Sequence, residues 1–328
     1  MNQKNRFSKT SRMLSLFERL NQGELIDKAR EASNFGVNEK TLQRDLDDLR
    51  SYLVEKYPEE ASTGIFYDHK RRGYFLYRDQ QNWLTSQEIL ALAKVLLESR
   101  AFAKGEMSQL LDKLVLQSTP TERRHIQEVI QNERYHYVEL QHQRPLFKTL
   151  WELSRAVREQ YLVEIDYTRV GDGQLLHRVV EPQGLIFSEF YFYLVAYIHD
   201  SGYEFPAIYR LDRIKDYHIS NDHFYVPYEK RFEEGELRKR IQFMQSGHLM
   251  TIRFRFWGES LEAVLDRLPT ARVLENDGRT VVIEAEVFGR GIKMWLLSQM
   301  HYLEVLKPKD FRREIISSIK QIATVYED

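Results

Sequence analysis

The chain has 328 residues, enough for two or three domains with their own cores, and 42% are hydrophobic, which favours a folded over a disordered protein. Its 48 Lys and Arg are balanced by 49 Asp and Glu, which excludes a uniformly basic nucleic-acid-binding surface, so any basic patch must be local. The absence of cysteine excludes disulfides, thiol nucleophiles and Cys-ligated metal clusters.

The first predicted elements are three helices. Apolar residues between positions 8 and 20 predict the first helix, and the segment from Leu25 to Leu53 predicts two more around a tight turn. In that turn Gly36 can take the positive φ that ends one helix, and Asn38 can cap the next through its side-chain oxygen. This pattern predicts a helix-turn-helix.

The third helix has a pattern suited to the major groove of DNA. Leu42, Leu46 and Leu49 recur at three- and four-residue spacing and predict an apolar inner face. The outer face of the first two turns carries polar side chains of the types that bond base edges and phosphates. These predicted DNA-contacting residues are Asn38, Lys40, Thr41, Gln43 and Arg44.

A β-hairpin is predicted after these helices, because two aromatic-rich segments near Gly64–Asp68 and Tyr74–Tyr77 flank a glycine-terminated turn. Three helices followed by a hairpin are typical of the winged form of the motif. The basic turn is predicted to lie over a phosphate backbone or minor groove, although a solvated hairpin tip has the same composition. Its candidate residues are His69, Lys70, Arg71 and Arg72.

Four basic residues near the start of the chain are further candidates for a local basic surface. A solvated tail is the alternative interpretation. They are Lys4, Arg6, Lys9 and Arg12.

The middle of the chain is predicted to be helical and then rich in strands. A capping box of Thr85 and Glu88 opens a run of helices that reads as a connector. From Tyr161 onwards, short alternating segments separated by turns predict a small antiparallel barrel. A charged linker then leads to a final mixture of strands and helices.

We therefore predict an α+β multidomain protein. Its predicted parts are a winged helix-turn-helix DNA-binding domain (1–80), a helical connector (81–160), a small barrel (161–222), a linker (223–248) and a C-terminal α+β extension (249–328).

Three segments of the predicted barrel carry distinctive motifs: Arg178–Leu185, Tyr191–Ala196 and Tyr209–Ile214. In these segments the chain resembles the WYL domain. The triplet Phe192-Tyr193-Leu194 stands where the family has Trp-Tyr-Leu, so the first aromatic departs from the family name. Together with the predicted winged helix and C-terminal extension, the resemblance covers nearly the whole chain.

The resemblance implies a bacterial transcriptional regulator whose WYL domain has an Sm-like barrel fold and senses a nucleotide or oligonucleotide. The layout is similar to repressors that lie beside anti-phage defence operons. It is also similar to activators that respond to DNA damage. The resemblance leaves both open, and we favour repression of the protein's own operon.

The resemblance also implies the residues of the effector pocket. The motif carries over Arg178, Tyr193, Arg210 and Arg213, and adjacency adds His177 and Tyr209. Guanidinium groups bind phosphate in bidentate fashion, and tyrosines stack on bases, so we expect these side chains to converge on one face. In the alternative interpretation, Arg210 and Arg213 form structural ion pairs with Asp212 or Asp216.

The remaining expectations concern partners and location. We expect a homodimer on an inverted-repeat operator of double-stranded DNA, because one short helix reads too few bases. We expect a soluble, cytoplasmic protein, no cofactor, no metal and no enzymatic activity, since no signal peptide, membrane span or metal-binding spacing is visible. An RNA-binding factor and a nucleotide-acting enzyme are the alternatives.

Overall fold

The computed structural model describes residues 7–21, 23–56, 63–77, 84–202, 206–227, 229, 231–245 and 247–327. The chain divides into two compact units, Met1–Leu140 and Gln141–Asp328. Within the described ranges, no helix combines the length and the apolar composition needed to span a membrane.

The first unit begins with three helices and a hairpin, the elements that the sequence predicts. They are α1 (Lys9–Asn21), α2 (Lys28–Phe35), α3 (Glu39–Lys56), β1 (Gly64–Asp68) and β2 (Gly73–Tyr77). They share one core, in which Leu16 of α1, Leu42 and Leu46 of α3 and Ile65 of β1 are buried together. The apolar inner face predicted for α3 is therefore confirmed.

The hairpin is tied to the segment that precedes α2. Its two strands are antiparallel, and Tyr74 of β2 also forms an antiparallel bridge with Ile26. Glycine is required at the start of β2, because a Cβ at Gly73 would lie only 2.5 Å from Cγ of Leu25. This close approach sets the hairpin against the helices.

A buried ion pair joins α1 to α3. Nη2 of Arg12 donates to Oδ1 of Asp45 at 3.1 Å, and Nε of Arg12 donates to the other carboxylate oxygen. Arg12 is 5% exposed and Asp45 1% exposed. The expectation that Arg12 belongs to a basic surface is therefore wrong, because its charge is neutralised inside the core.

Of the three other basic residues predicted near the start of the chain, the structure describes Lys9. Nζ of Lys9 is exposed and lies 2.7 Å from Oδ2 of Asp48. Lys4 and Arg6 lie outside the described residues.

Three further helices complete the first unit: α4 (Ser86–Ser99), α5 (Lys104–Val115) and α6 (Pro120–Tyr135). The predicted capping box of Thr85 and Glu88 opens α4 and is confirmed. The helices pack on one another, with Ile89, Leu111 and Ile126 buried.

The second unit begins with a helix and a five-stranded antiparallel sheet of order β6-β5-β4-β3-β7. These elements are α7 (Phe147–Glu159), β3 (Tyr161–Thr168), β4 (Leu175–Ser188), β5 (Tyr191–Ile198), β6 (Ala207–Arg210) and β7 (Ile214–His223). Leu153 and Ala156 of α7 are buried in the same core as the sheet. The last helix of the segment predicted to be a connector thus packs on the strands that follow it.

The five-stranded sheet is curled but open, which corrects the predicted barrel. Flat edges would be separated by four strand spacings, about 19 Å. A 3₁₀ turn, Leu211–Arg213, links the two edge strands, and four residue steps span at most about 14 Å, so the sheet must roll. In the described chain no ladder joins β6, which has 4 residues, to β7.

The second unit ends in a four-stranded sheet of order β11-β8-β10-β9, covered by helices. Its elements are α8 (Glu234–Arg240), β8 (Leu249–Phe256), α9 (Leu261–Arg267), β9 (Arg272–Asn276), β10 (Val281–Phe288), α10 (Gly289–Ser298), β11 (Leu303–Lys307) and α11 (Lys309–Tyr326). Phe254, Ile283 and Trp295 lie in its core. An α+β unit at the end of the chain agrees with the sequence prediction.

Replacing Asp45 by Ala should destabilise the first unit, because it leaves the buried Arg12 charge without a partner. The expected loss is about 3–5 kcal/mol. Native-state hydrogen exchange of the full chain measures it, as a lower opening free energy for the amides of α1 and α3.

The exposed pair of Lys9 and Asp48 provides the matched control, and Asp48→Ala should cost less than about 1 kcal/mol. Equal effects of the two substitutions would show that the buried pair does not hold α1 to α3.

Candidate functional site

The turn before α3 determines where that helix begins. Gly36 has φ of +65°, and its N–H donates to the carbonyls of Ala32 and Ser33. Oδ1 of Asn38 accepts two hydrogen bonds from Thr41, one from the backbone N–H at 2.7 Å and one from the hydroxyl at 2.9 Å. The predicted turn and cap are confirmed.

Two cations project from the first two turns of α3. Lys40 and Arg44 are exposed, and in the described part of the chain neither has an ion-pair or hydrogen-bond partner. Their spacing of four residues places them on one face. Asp47 and Asp48 are exposed in the following turn and pair with Arg50 and Lys9, each at 2.7 Å, so an acidic turn follows the two cations.

Gln43 is held between the helix and the hairpin. The hydroxyl of Tyr74 donates to its Oε1 at 2.9 Å, and its Nε2 donates to Oδ1 of Asp47 at 3.1 Å. Arg50 lies over the Tyr74 ring, 5.5 Å from its centroid, and donates to the carbonyl of Ile65 at 2.8 Å. Sequence reasoning missed these supporting residues, because only the fold brings β2 against α3.

Three of the four residues predicted at the tip of the hairpin, His69, Lys70 and Arg72, are exposed, and none of them forms an ion pair with a residue that the structure describes. The His69 ring meets the Tyr67 ring edge to face, with centroids 5.0 Å apart. Nε of Arg71 instead donates to Oδ2 of Asp68 at 2.6 Å. Hydrogen bonds from the backbone N–H and side chain of Arg71, and from the backbone N–H of Lys70, lower the pKa of Asp68 to about 2. At neutral pH one acidic charge therefore offsets part of the positive charge of the tip.

The six residues predicted for the effector pocket do not share one face of the curled sheet, so the expected convergence is wrong. Successive residues of a strand point to opposite faces, which separates Tyr209 from Arg210. Tyr193 lies opposite Arg210 and belongs to a core cluster with Ile186. Tyr209 belongs to a different cluster, formed on the other face with Ile165.

Arg210 is bound by the protein itself. Its Nε and Nη2 donate to the two carboxylate oxygens of Asp212 at 3.0 and 2.7 Å. Its guanidinium also lies 3.4 Å from the ring centroid of Tyr191. Asp212 is only 7% exposed, so this is the structural ion pair that the sequence left open as the alternative.

Two guanidinium groups, those of Arg178 and Arg213, lie near a pair of buried phenols. The rings of Tyr167 and Tyr209 meet edge to face, with centroids 5.0 Å apart. Burial raises the pKa of Tyr209 to about 12, opposed by the charge of Arg178. Burial also raises the pKa of Tyr167, opposed by the backbone N–H of Arg210 and the charge of Arg213.

Arg178 and Arg213 differ from Arg210 in their charge partners. Nη1 of Arg178 donates to the carbonyl of His177 at 3.0 Å. Neither Arg178 nor Arg213 forms an ion pair with any residue that the structure describes. Guanidinium groups without a carboxylate partner can bind phosphate oxygens.

The other two pocket candidates have partners within the protein. Tyr193 is buried, and burial raises its pKa to about 12. Nδ1 of His177 lies 2.9 Å from Oδ1 of Asp166, its cross-strand partner, and both side chains are exposed. Contact of Tyr193 or His177 with an effector stays a prediction. Among the described residues, no group of three or more His, Asp or Glu side chains could hold a metal ion.

Two family models match the second unit. The WYL domain matches residues 148–219, and the WCX domain matches residues 248–323. A search of curated proteins found no match.

Two solved structures show a distant similarity. Proteasome accessory factor B/C (PafBC) of Arthrobacter aurescens is 15% identical with a TM-score of 0.32, and the match covers 98% of this chain and 49% of that chain. A structure described as a CRISPR Cas-related protein is 15% identical with a TM-score of 0.40, covering 98% of this chain and 84% of that chain. The chain thus spans about half the length of PafBC. Neither similarity is close enough to carry an argument about function.

The family matches coincide with the architecture of the second unit. The WYL match takes in nearly all of α7, β3–β6 and most of β7, whereas the WCX match takes in β8–β11 with the helices between them and most of α11. The second unit therefore contains a WYL domain followed by a WCX domain.

Proposed function

We propose that this protein is a sequence-specific DNA-binding transcriptional regulator, rather than an enzyme, whose WYL domain senses an effector. The observation that carries the proposal is a pair of exposed cations, Lys40 and Arg44, which have no partner among the described residues and lie on the first two turns of a helix held by its leucines. A rigid helix with a cationic start is what readout of the major groove requires. The presence of a WYL domain supports the same kind of protein.

In this proposal the first unit acts as a winged helix-turn-helix. The start of α3 enters the major groove, where Lys40 and Arg44 contact phosphates and base edges. The hairpin acts as the wing, and Lys70 and Arg72 at its tip contact the phosphate backbone. The acidic side chains of Asp47 and Asp48 mark the limit of the groove-facing part of α3, since phosphate repels carboxylates, and the charge of Asp47 is partly offset by Arg50 at 2.7 Å.

The operator is proposed to be an inverted repeat bound by a homodimer. The formal net charge of −1 means that general attraction to DNA is weak, so affinity must come from a few local contacts. Two copies related by a twofold axis double those contacts, and the symmetry of the operator then matches that of the protein.

The effector is proposed to be a nucleotide or oligonucleotide that binds the WYL domain. Arg178 and Arg213 supply phosphate contacts beside the Tyr167–Tyr209 phenols. The effector controls DNA binding if its affinity differs between two arrangements of the dimer. Repression, and control of a phage-defence operon, are narrower parts of the proposal and rest on the family resemblance alone.

Replacing Lys40 and Arg44 together by Ala should abolish specific binding to the operator without lowering the melting temperature, because both side chains are exposed and bond to no residue in the described ranges. Each lost contact should weaken specific binding by roughly 1–3 kcal/mol. Binding of the full-length protein to an operator duplex selected from a random library measures the effect at fixed salt concentration.

Lys148 and Arg155 on the exposed side of α7 provide a matched control, because their replacement removes the same charge elsewhere. If both double variants weaken operator binding equally, the effect is one of general charge, and α3 is not the reading helix.

Replacing Arg178 and Arg213 together by Ala should weaken binding of a short single-stranded oligonucleotide to the WYL domain. Each lost phosphate contact should also reduce the salt dependence of binding. The slope of the logarithm of the binding constant against the logarithm of the salt concentration should become shallower by about 0.7 per contact. Fluorescence anisotropy of a labelled oligonucleotide against salt concentration, with operator binding measured in parallel, tests both effects.

Arg169→Ala is the control, because Arg169 pairs with Asp172 in the β3–β4 turn. Unchanged oligonucleotide binding by the Arg178 and Arg213 double variant would remove both residues from the proposed effector site.

Arg210→Ala should instead lower the melting temperature of the protein, since it leaves the buried Asp212 without its partner.

A further inference from the structure

Two carboxamide side chains, Asn38 and Gln43, lie near the start of α3, and their hydrogen bonds leave them with different capacities. A carboxamide oxygen can accept two hydrogen bonds, and its nitrogen can donate two. The hydrogen bonds that each side chain makes within the protein therefore determine how many donors and acceptors remain for contact with DNA.

Asn38 has no oxygen capacity left. Its Oδ1 accepts from the backbone N–H of Thr41 at 2.7 Å and from the Thr41 hydroxyl at 2.9 Å. Asn38 can therefore only donate, through Nδ2, and it cannot offer a donor beside an acceptor to a base.

Gln43 keeps one donor and one acceptor. Its Nε2 donates to Asp47 at 3.1 Å, which leaves a second N–H, and its Oε1 accepts from Tyr74 at 2.9 Å, which leaves a second lone pair. Among the two carboxamides at the start of α3, only Gln43 can present both functions at once.

The orientation of the Gln43 carboxamide is determined by its neighbours. An ionised Asp47 carboxylate can only accept, so the nitrogen of Gln43 must face it, and the oxygen must face the Tyr74 hydroxyl. Tyr74 is itself 9% exposed, with its ring under Arg50 and its backbone bonded to Ile26. A flipped carboxamide would place its oxygen against the Asp47 carboxylate and lose that bond, although the Tyr74 hydroxyl could then accept from the nitrogen. Asp47 therefore sets the order of donor and acceptor, and the bond from Tyr74 holds the oxygen end in place.

A donor beside an acceptor, in a fixed order, matches one base in the major groove. Adenine presents the N7 acceptor next to the N6 donor, whereas guanine presents two acceptors, thymine one acceptor and a methyl group, and cytosine one donor. We propose that Gln43 reads an adenine of the operator, and that Tyr74 is a positioning residue that holds the Gln43 carboxamide in the reading orientation. This inference rests on the proposed function of α3.

The first experiment selects binding sites from a random-sequence duplex library with the full-length protein. The native protein should select a motif in which one position prefers adenine by roughly 5- to 150-fold. Gln43→Ala should lose the preference at that position alone. Tyr74→Phe, which keeps the ring but removes the donated bond, should reduce it at the same position without altering the others.

The second experiment tests the N7 contact directly. Replacing the preferred adenine by 7-deazaadenine removes the N7 acceptor and keeps base pairing, so native binding should weaken about fivefold or more. The Gln43→Ala variant should bind both duplexes equally. Tyr77→Phe, a change at an exposed tyrosine of the same strand, is the control and should behave as the native protein.

The outcomes separate the inference from the function on which it rests. If the native protein selects no duplex motif at all, the proposed function fails. If it selects a motif whose every position survives Gln43→Ala, or if 7-deazaadenine weakens native and Gln43→Ala binding equally, Gln43 does not read adenine. If Gln43→Ala loses the preference for adenine at one position, but a folded Tyr74→Phe variant keeps that preference in full, Tyr74 is not a positioning residue.

Discussion

The packing of α3 onto the core of the first unit determines what its outer face can do. Leu42 and Leu46 are fully buried, and Asp45 on the same side is neutralised by Arg12 of α1. A helix fixed by both apolar contacts and a buried ion pair cannot rotate without leaving a charge unpaired. The directions of Lys40 and Arg44 are consequences of that anchoring, and so is the position of Gln43 beside the hairpin.

In the WYL domain the comparable constraint is a short connection. The turn from β6 to β7 is too short for a flat sheet, so the sheet rolls around it. The same turn carries the Arg210–Asp212 ion pair, and its carbonyls at Asp212 and Ile214 accept hydrogen bonds from Arg144. A charged motif that looks like a ligand site in sequence thus also serves to hold a corner of the fold.

The sequence predicted local features of the fold well, because they depend on neighbouring residues. The Gly36 turn, the Asn38 cap and the Thr85–Glu88 capping box are each set within a few positions of the chain. Side-chain partners distant in sequence could not be predicted in this way. Nothing near Arg12 indicates Asp45 as its partner, and nothing in the motif around Arg210 separates an ion pair from a phosphate site.

The candidate site shows the same difference between local and distant features. Residue types that suit nucleic acids could be recognised on α3, but their availability depends on contacts made after folding. Asn38 and Thr41 bond to each other, whereas Lys40 and Arg44 have no partner in the described chain. On the sheet, strand alternation divides residues that the motif places side by side, such as Tyr209 and Arg210.

In the proposed complex with DNA, the exposed acidic side chains of Asp47 and Asp48 on α3 have a consequence for the length of DNA that one copy can inspect. They would limit the groove-facing part of the helix to about two turns, roughly 11 Å, which corresponds to the rise of about three base pairs. Three base pairs recur by chance about once in every 64 positions of random duplex, far too often to mark one site. In the proposed dimer, discrimination between operator and other DNA would then depend on the spacing of the two half-sites and on the stiffness of the DNA between them.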